Sequence, residues 1–265
     1  MTGMPSLAGR RIVVTRPADQ AEKLAREIEM RGGTVLRFPV LAILDVDDPR
    51  PLQAAAQDIE GYDVAVFVSP NAAQKALAVI TARRAWPERI VAATVGEASA
   101  RAVARFGITR IVAPENGRFD SEALLARPEF APETIRGKRV AIFRGDNGRE
   151  LLGETLEARG AQVDRIPCYR RLRPDIDATP LRTLLAQHAV DAVTVTSSEG
   201  LRNLVAMVGA AGAAALKAVP LFAAHQRIVD AARLLGFAQT TVTAPGDAGL
   251  LAGLETHYAA LETDR

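Results

Sequence analysis

The chain has 265 residues, 48% hydrophobic and 24% charged, which gives enough length for two ordinary domain cores and too much apolar content for a disordered chain. A formal charge of +2 is too small to mark a nucleic-acid binder, and a single cysteine, Cys168, excludes an internal disulfide. The opening MTGMPSLAGRR lacks an apolar run of signal-peptide length, and no segment reads as the roughly 20 apolar residues that cross a bilayer, so a soluble cytoplasmic protein is expected.

Residues 11–15 are β-branched and apolar and read as a buried strand. Helical spacing then runs from Ala18 to Met30 through Ala21, Leu24, Ala25 and Ile28, and stops at Gly32 and Gly33. Residues 35–44 read as extended, interrupted by Pro39, which suits an edge rather than a central ladder. An acidic connector over 45–51 leads into a short helix, then the apolar run 64–68 reads as a strand covered on both faces, followed by Ser69, Pro70, Asn71 and a helix to Ile80. A strand over 90–95 turns at Gly96 and Glu97 into a helix with Ala98, Ala102 and Phe106 on one side, ended by Gly107. A last strand over 110–113, a loop over 115–119 and a helix opened by Asp120, Ser121 and Glu122 complete this set.

The stretch GKRVAIFRGDNGR, residues 137–149, repeats the pattern of GRRIVVTR, residues 9–16, at an offset of 128. The same offset relates Glu22 to Glu150, Gly32 to Gly160, Pro39 to Pro167, Asp63 to Asp191 and Ser69 to Ser197. A period this long marks two similar halves rather than a solenoid. The second half predicts strands over 140–143, 163–169, 192–196, 219–223 and 240–244, with helices beginning near Gly148, Glu199, Arg227 and Asp247. Strands alternating with helices imply an α/β protein of two flavodoxin-like, doubly wound parallel-sheet domains.

In such sheets ligands bind beyond the carboxyl ends of the strands, where helix N-termini offer free N–H groups and partial positive charge. Six turns fit: Arg16 with Pro17; Ser69 to Asn71; Gly96 to Ser99; Arg144 to Arg149; Thr196 to Glu199; and His225 to Arg227. Hydroxyl, amide and guanidinium groups dominate them, which points to an anionic ligand, although Ser, Asn and Gly are also ordinary cap and turn residues. Between residues 159 and 173 five arginines, Arg159, Arg165, Arg170, Arg171 and Arg173, face one acid, Asp164. They suit either carboxylate or phosphate binding or a protected strand edge. Tyr169 ends a strand among these arginines and reads either as a proton donor or as a packing tyrosine with a wet hydroxyl. No GxGxxG follows a strand, no Walker A sequence or G-x-S-x-G elbow occurs, and three scattered histidines with one cysteine have no metal-ligand spacing. The chemistry, if any, is therefore expected to need no metal and no tethered nucleophile.

The ordered set VVTRP, DVAVFVSPNA, TVGEASARAVARFG, DSEALL, GKRVAIFRGDNGRELL, GAQVDRIPCYRR and DAVTVTSSEGLRNL resembles the uroporphyrinogen-III synthases over nearly the whole chain. The resemblance implies two flavodoxin-like domains joined by a two-stranded connector: residues 1–38 with 173–265, and residues 39–172, with the active site in the cleft between them. It also implies a cofactor-free cyclisation of hydroxymethylbilane with inversion of ring D, through azafulvene and spiro intermediates. By the same resemblance Tyr169 helps the terminal hydroxyl leave. Arg16, Ser69, Asn71, Gly96, Arg144, Gly145, Arg149, Ser197 and Ser198 meet a substrate that carries acetate and propionate carboxylates, with Arg16 and Arg144 facing each other across the cleft. Outside the resemblance, Gln226 and Arg227 are further candidates, Arg227 reading either as a cation for the substrate or as a solvent-facing first-turn residue. A monomer is implied, with a passing contact to hydroxymethylbilane synthase and no nucleic-acid or membrane partner. The turn Ala224, His225, Gln226, Arg227 departs from the family's Gly and Thr-rich pattern. A binding module that grips a tetrapyrrole or another polyanion without converting it is the alternative, and a glycosyltransferase-like enzyme is a third reading.

Overall fold

The computed structural model describes residues 6–115 and 120–263, so most of the loop expected over 115–119 lies outside the described residues. The strands in chain order are β1 (Arg11–Val14), β2 (Thr34–Arg37), β3 (Ala42–Leu44), β4 (Val64–Phe67), β5 (Val91–Thr94), β6 (Ile111–Val112), β7 (Arg139–Gly145), β8 (Gln162–Leu172), β9 (Ala192–Val195), β10 (Leu221–Ala223) and β11 (Thr240–Val242). The helices are α1 (Ala18–Met30), α2 (Arg50–Gln57), α3 (Pro70–Thr81), α4 (Glu97–Ala104), α5 (Ser121–Leu125), α6 (Pro132–Ile135), α7 (Leu151–Ala158), α8 (Thr179–Ala186), α9 (Ser198–Ala218), α10 (Gln226–Leu234) and α11 (Gly246–Thr263). The chain divides into two compact units, Met1–Ala42 with Leu172–Arg265 and Ile43–Arg171.

The first unit holds a five-stranded sheet in the order β2-β1-β9-β10-β11, with β1 parallel to β2 and β9 and β10 parallel to β9 and β11. Alternate residues supply its two cores. Val13, Val193, Val195 and Leu221 pack with α8, α9 and α10, while Ile12, Val14, Ala192 and Phe222 pack with α1 and α11. The second unit holds a six-stranded sheet in the order β3-β8-β7-β4-β5-β6. Ala65, Phe67, Ala141 and Phe143 pack with α2, α3 and α4, whereas Val64, Val66, Val140 and Ile142 pack with α5, α6 and α7. Strands buried on both faces have no polar side to show, which is why they read as continuous apolar runs.

The sheets exchange the two halves of the duplication. Strands β1 and β2 of the first half join β9 to β11 of the second, and β7 and β8 of the second join β4 to β6 of the first. Two aspartates 128 positions apart fasten the exchange: Arg139 N donates to Asp63 Oδ2 at 2.9 Å, and Arg11 N donates to Asp191 Oδ2 at 2.7 Å.

Several expectations need correction. The extended segment 35–44 is interrupted around Pro39, at 38–41, as expected, but its two pieces, β2 and β3, belong to different sheets. In α4 the fully buried positions are Ser99 and Val103; of the expected face, Ala102 and Phe106 pack partly buried against the core while Ala98 is exposed. Helix α7 starts at Leu151 rather than near Gly148, because the preceding turn wraps the Arg144 side chain. Helix α8 was not expected. Against the expectation of no segment suited to cross a membrane, α9 is long and apolar enough by length and composition, with a mean hydropathy of 1.2. Its backbone breaks at Gly209 (φ 67°, ψ −178°), and Leu201, Leu204, Val208 and Leu216 pack into the first unit's core.

Candidate functional site

The second unit builds its site from a ladder irregularity. Along β7 and β8 the register runs through Arg144 opposite Pro167 and then jumps to Gly145 opposite Tyr169. Pro167 has no N–H to give the ladder, and a bulge at this point aims the next residue differently. Asp146 N then closes on Tyr169 O at 2.9 Å. The result lays the Tyr169 ring against Gly145: a Cβ at 145 would lie 3.1 Å from Tyr169 Cζ, tighter than ordinary packing allows. Tyr169 is 2% exposed.

Its hydroxyl meets two side chains at this end of the sheet. Tyr169 Oη lies 3.0 Å from Ser69 Oγ, and Arg171 Nη2 donates to it at 3.1 Å. Ser69 is also the N-cap of α3, its Oγ accepting from Ala72 N at 3.1 Å. Asn71 stands half-buried in the first turn of the same helix. Gly96 precedes α4 with φ −173°, an extended backbone that any residue adopts, so no conformational need explains glycine there.

Arg144 is turned inward. It is 7% exposed, and its guanidinium donates to Glu150 Oε1 at 2.8 Å, to Gly148 O at 2.5 Å and to Gly145 O at 3.3 Å. The hydrogen bond from Arg144 holds the Glu150 carboxyl below the usual carboxylate range, with Arg165 adding to it. Arg144 thus organises the turn over 145–150 rather than reaching out of it. Next to it a cavity of about 170 Å³ is lined by Val68, Val95, Ser121, Ile142, Arg144, Gly148, Arg149, Leu152 and Gly153. Arg149 is exposed at this cavity and Ser121 opens α5, so both offer polar groups above an apolar floor.

In the first unit Arg16 follows β1 and sits 2.9 Å from Asp247 in the first turn of α11. Ser197 caps α9, accepting from Gly200 N at 2.9 Å, and Ser198 is that helix's first residue. Gln226 and Arg227 open α10 and are exposed; Gln226 Nε2 donates to Asp230 Oδ1 at 2.8 Å.

The arginine run is mostly spent within the fold. Arg159 donates to Leu125 O and Phe130 O, Arg165 grips Glu157 and Glu150, and Arg170 pairs with Asp47. Arg171, two residues beyond Tyr169 on the same strand, is the member that reaches the candidate catalytic hydroxyl. Sequence reasoning included Arg171 in the cluster without singling it out, although the i, i+2 spacing that puts it on the tyrosine's face was legible. Asp247 and Ser121 gave no signal beyond helix-start composition.

The family described as uroporphyrinogen-III synthase HemD matches residues 22–252 of the 265. The chain belongs to the uroporphyrinogen-III synthase family. It is 31% identical to the uroporphyrinogen-III synthase of Escherichia coli (strain K12), over 74% of this chain and 79% of that protein. The synthase of Synechococcus elongatus is 28% identical, over 74% of each. Among solved structures, a mutant uroporphyrinogen III synthase of the extremely thermophilic bacterium Thermus thermophilus superposes with a TM-score of 0.63 at 20% identity, covering 96% of this chain and 99% of that one. The enzyme from Helicobacter pylori 26695 gives 0.52 at 14% identity, covering 96% and 99%. At such identities the structures speak for the two-domain α/β fold, and the sequence relatives carry the activity: the chain is an enzyme of the lyase class, in tetrapyrrole biosynthesis.

Proposed function

We propose that this synthase cyclises hydroxymethylbilane with inversion of ring D, and that Tyr169 gives the proton with which the terminal hydroxyl departs as water. The observation that carries the reading is the pair of contacts on Tyr169 Oη, from Arg171 and Ser69. Ser69 Oγ already accepts from Ala72 N. When its own proton is directed at Tyr169 Oη, the phenol oxygen receives from both neighbours and its proton is free for the leaving oxygen. As that proton moves and the C–O bond breaks, the Arg171 and Ser69 donors face the negative charge left on the phenol oxygen. Electrons from the pyrrole nitrogen give the azafulvene cation. The substituted carbon of the last ring attacks it, and the spiro intermediate fragments and recloses at the free α-carbon of that ring, which loses its proton and so offsets the one Tyr169 gave.

The remaining work is holding a flexible polyanion in one shape. Helix N-termini capped by Ser69 and Ser197, with Asn71, Gly96, Gly145, Ser198, Gln226 and Arg227 beside them, supply N–H groups and polar side chains for carboxylates. Arg16 and Arg149 supply cations; Arg144 supports the turn that presents Arg149. The reading takes the enzyme as a cytoplasmic monomer without a cofactor, receiving its unstable substrate in passing contact with hydroxymethylbilane synthase.

Steady-state turnover of Tyr169→Phe tests it. The expected result is a kcat about 10- to 100-fold lower with KM little changed, because a proton donor acts in the transition state. Unaltered turnover removes the role from Tyr169. Tight tetrapyrrole binding by the wild-type chain without conversion would instead favour a binding module.

A further inference from the structure

The duplication places an arginine at the end of the equivalent strand in each unit, Arg16 after β1 and Arg144 in β7, and the two are held very differently. Arg144 makes three hydrogen bonds, to Glu150 and to two carbonyls. Arg16 has one acidic neighbour, Asp247, whose Oδ1 lies 2.9 Å from Nη2, with side-chain exposures of 19% and 17%. That approach is close but misaligned: Arg16 Nε and Asp247 Oδ1 are both buried without a hydrogen-bond partner. A partly desolvated ion pair that leaves a guanidinium donor and a carboxylate oxygen unused has paid for desolvation without the bidentate bonds that normally offset it. A carboxylate arriving in fork geometry would satisfy Nε and Nη2 together, which Asp247 does not.

We propose that Asp247 is a positioning residue. In the free enzyme it holds the Arg16 guanidinium in place as a stand-in for a substrate carboxylate, and it yields Arg16 when that carboxylate binds. The proposal rests on the reading that Arg16 meets the substrate. Binding therefore includes the cost of breaking the internal pair, and Asp247 lowers ground-state affinity without taking part in the bond changes. Asp247 stands in the first turn of α11, where a carboxylate also faces the helix N-terminus, so the residue keeps a resting place once Arg16 has left it.

The test is a double-mutant cycle in full-length enzyme, reading KM for hydroxymethylbilane against kcat. Asp247→Asn keeps the size of the side chain and a polar first-turn residue, and it should lower KM about threefold while kcat stays within twofold, since a solvent-touched ion pair contributes only modestly. Arg16→Gln should raise KM about tenfold. Adding Asp247→Asn to Arg16→Gln should then change KM no further, because the two act through one contact. Where Asp247→Asn does not yield folded protein by its thermal melt, Asp247→Ser carries the same expectation. An Asp247 variant whose KM equals or exceeds that of the wild type, beside an intact Arg16→Gln effect, overturns the stand-in role and leaves the substrate reading of Arg16 in place. An unchanged KM in Arg16→Gln overturns both.

Discussion

Gly145 shows how one missing side chain sets the geometry of the candidate catalytic group. The bulge opposite Pro167 brings the Tyr169 ring over the backbone at 145, and any Cβ there would press on Cζ, Cε2 and Oη at 3.1 to 3.3 Å. Gly145→Ala should therefore cost about 1 kcal/mol in urea unfolding and lower kcat by displacing the ring from Ser69 and Arg171. A variant with wild-type stability and turnover would show that the ring has room to spare. Nearby, Cys168 points the other way chemically: burial pushes its thiol up to about 12, so it takes no part as a nucleophile at neutral pH. The residue-level signals in the sequence were types and spacings, Tyr169 among arginines and Ser69 before a helix. Which arginine pairs with which acid was not legible, because those partners come from distant segments such as Asp247 beside Arg16 and Asp47 beside Arg170.

Helix α11 carries an element-scale consequence. His257 on this helix is edge-on to Phe222 of β10 at 5.3 Å and to Tyr258 at 5.0 Å. Burial, reinforced by the Arg10 charge, lowers its pKa from the ordinary 6.5. The native state thus favours neutral His257 and the unfolded chain takes up the proton more readily. The contribution is complete above pH 6.5 and declines as pH falls through the native value. Melting temperature should fall as pH is lowered below 6.5 in the wild type, and His257→Gln should flatten that limb; an unchanged slope would place its origin elsewhere. Most elements were readable because the central strands β1, β4, β9 and β10 are almost wholly buried and the longer helices carry an apolar stripe, α1 matching its expected span from Ala18 to Met30. Where the reading failed, tertiary context had decided. Pro39 split one apparent strand between two sheets, and the Arg144 guanidinium, lying over Gly148, delayed the start of α7.

At the scale of the molecule, the repeat unit in the sequence is not the folding unit. Residues 1–128 hold one copy of the duplication, yet β1 in that copy pairs with β9 on the side away from β2, and β4 pairs with β7. Residues 43–171 hold the six-stranded sheet, short only of the strand-end residues Ala42 and Leu172, and both of its cores. Expressed alone, 43–171 should unfold cooperatively by circular dichroism, whereas 1–128 should not, because its strands lack their partners. Equal cooperativity in the two fragments would contradict the exchanged assignment. Periodicity revealed the duplication and the resemblance the exchanged grouping; in the structure that grouping rests on the pairing of β1 with β9 and of β4 with β7, with Asp63 and Asp191 each tying one such pair. The activity itself is tested most directly by incubating the purified chain with freshly made hydroxymethylbilane and resolving the porphyrin isomers after oxidation. The account predicts a product dominated by the type III isomer; formation of the type I isomer alone, at the spontaneous rate, would contradict it.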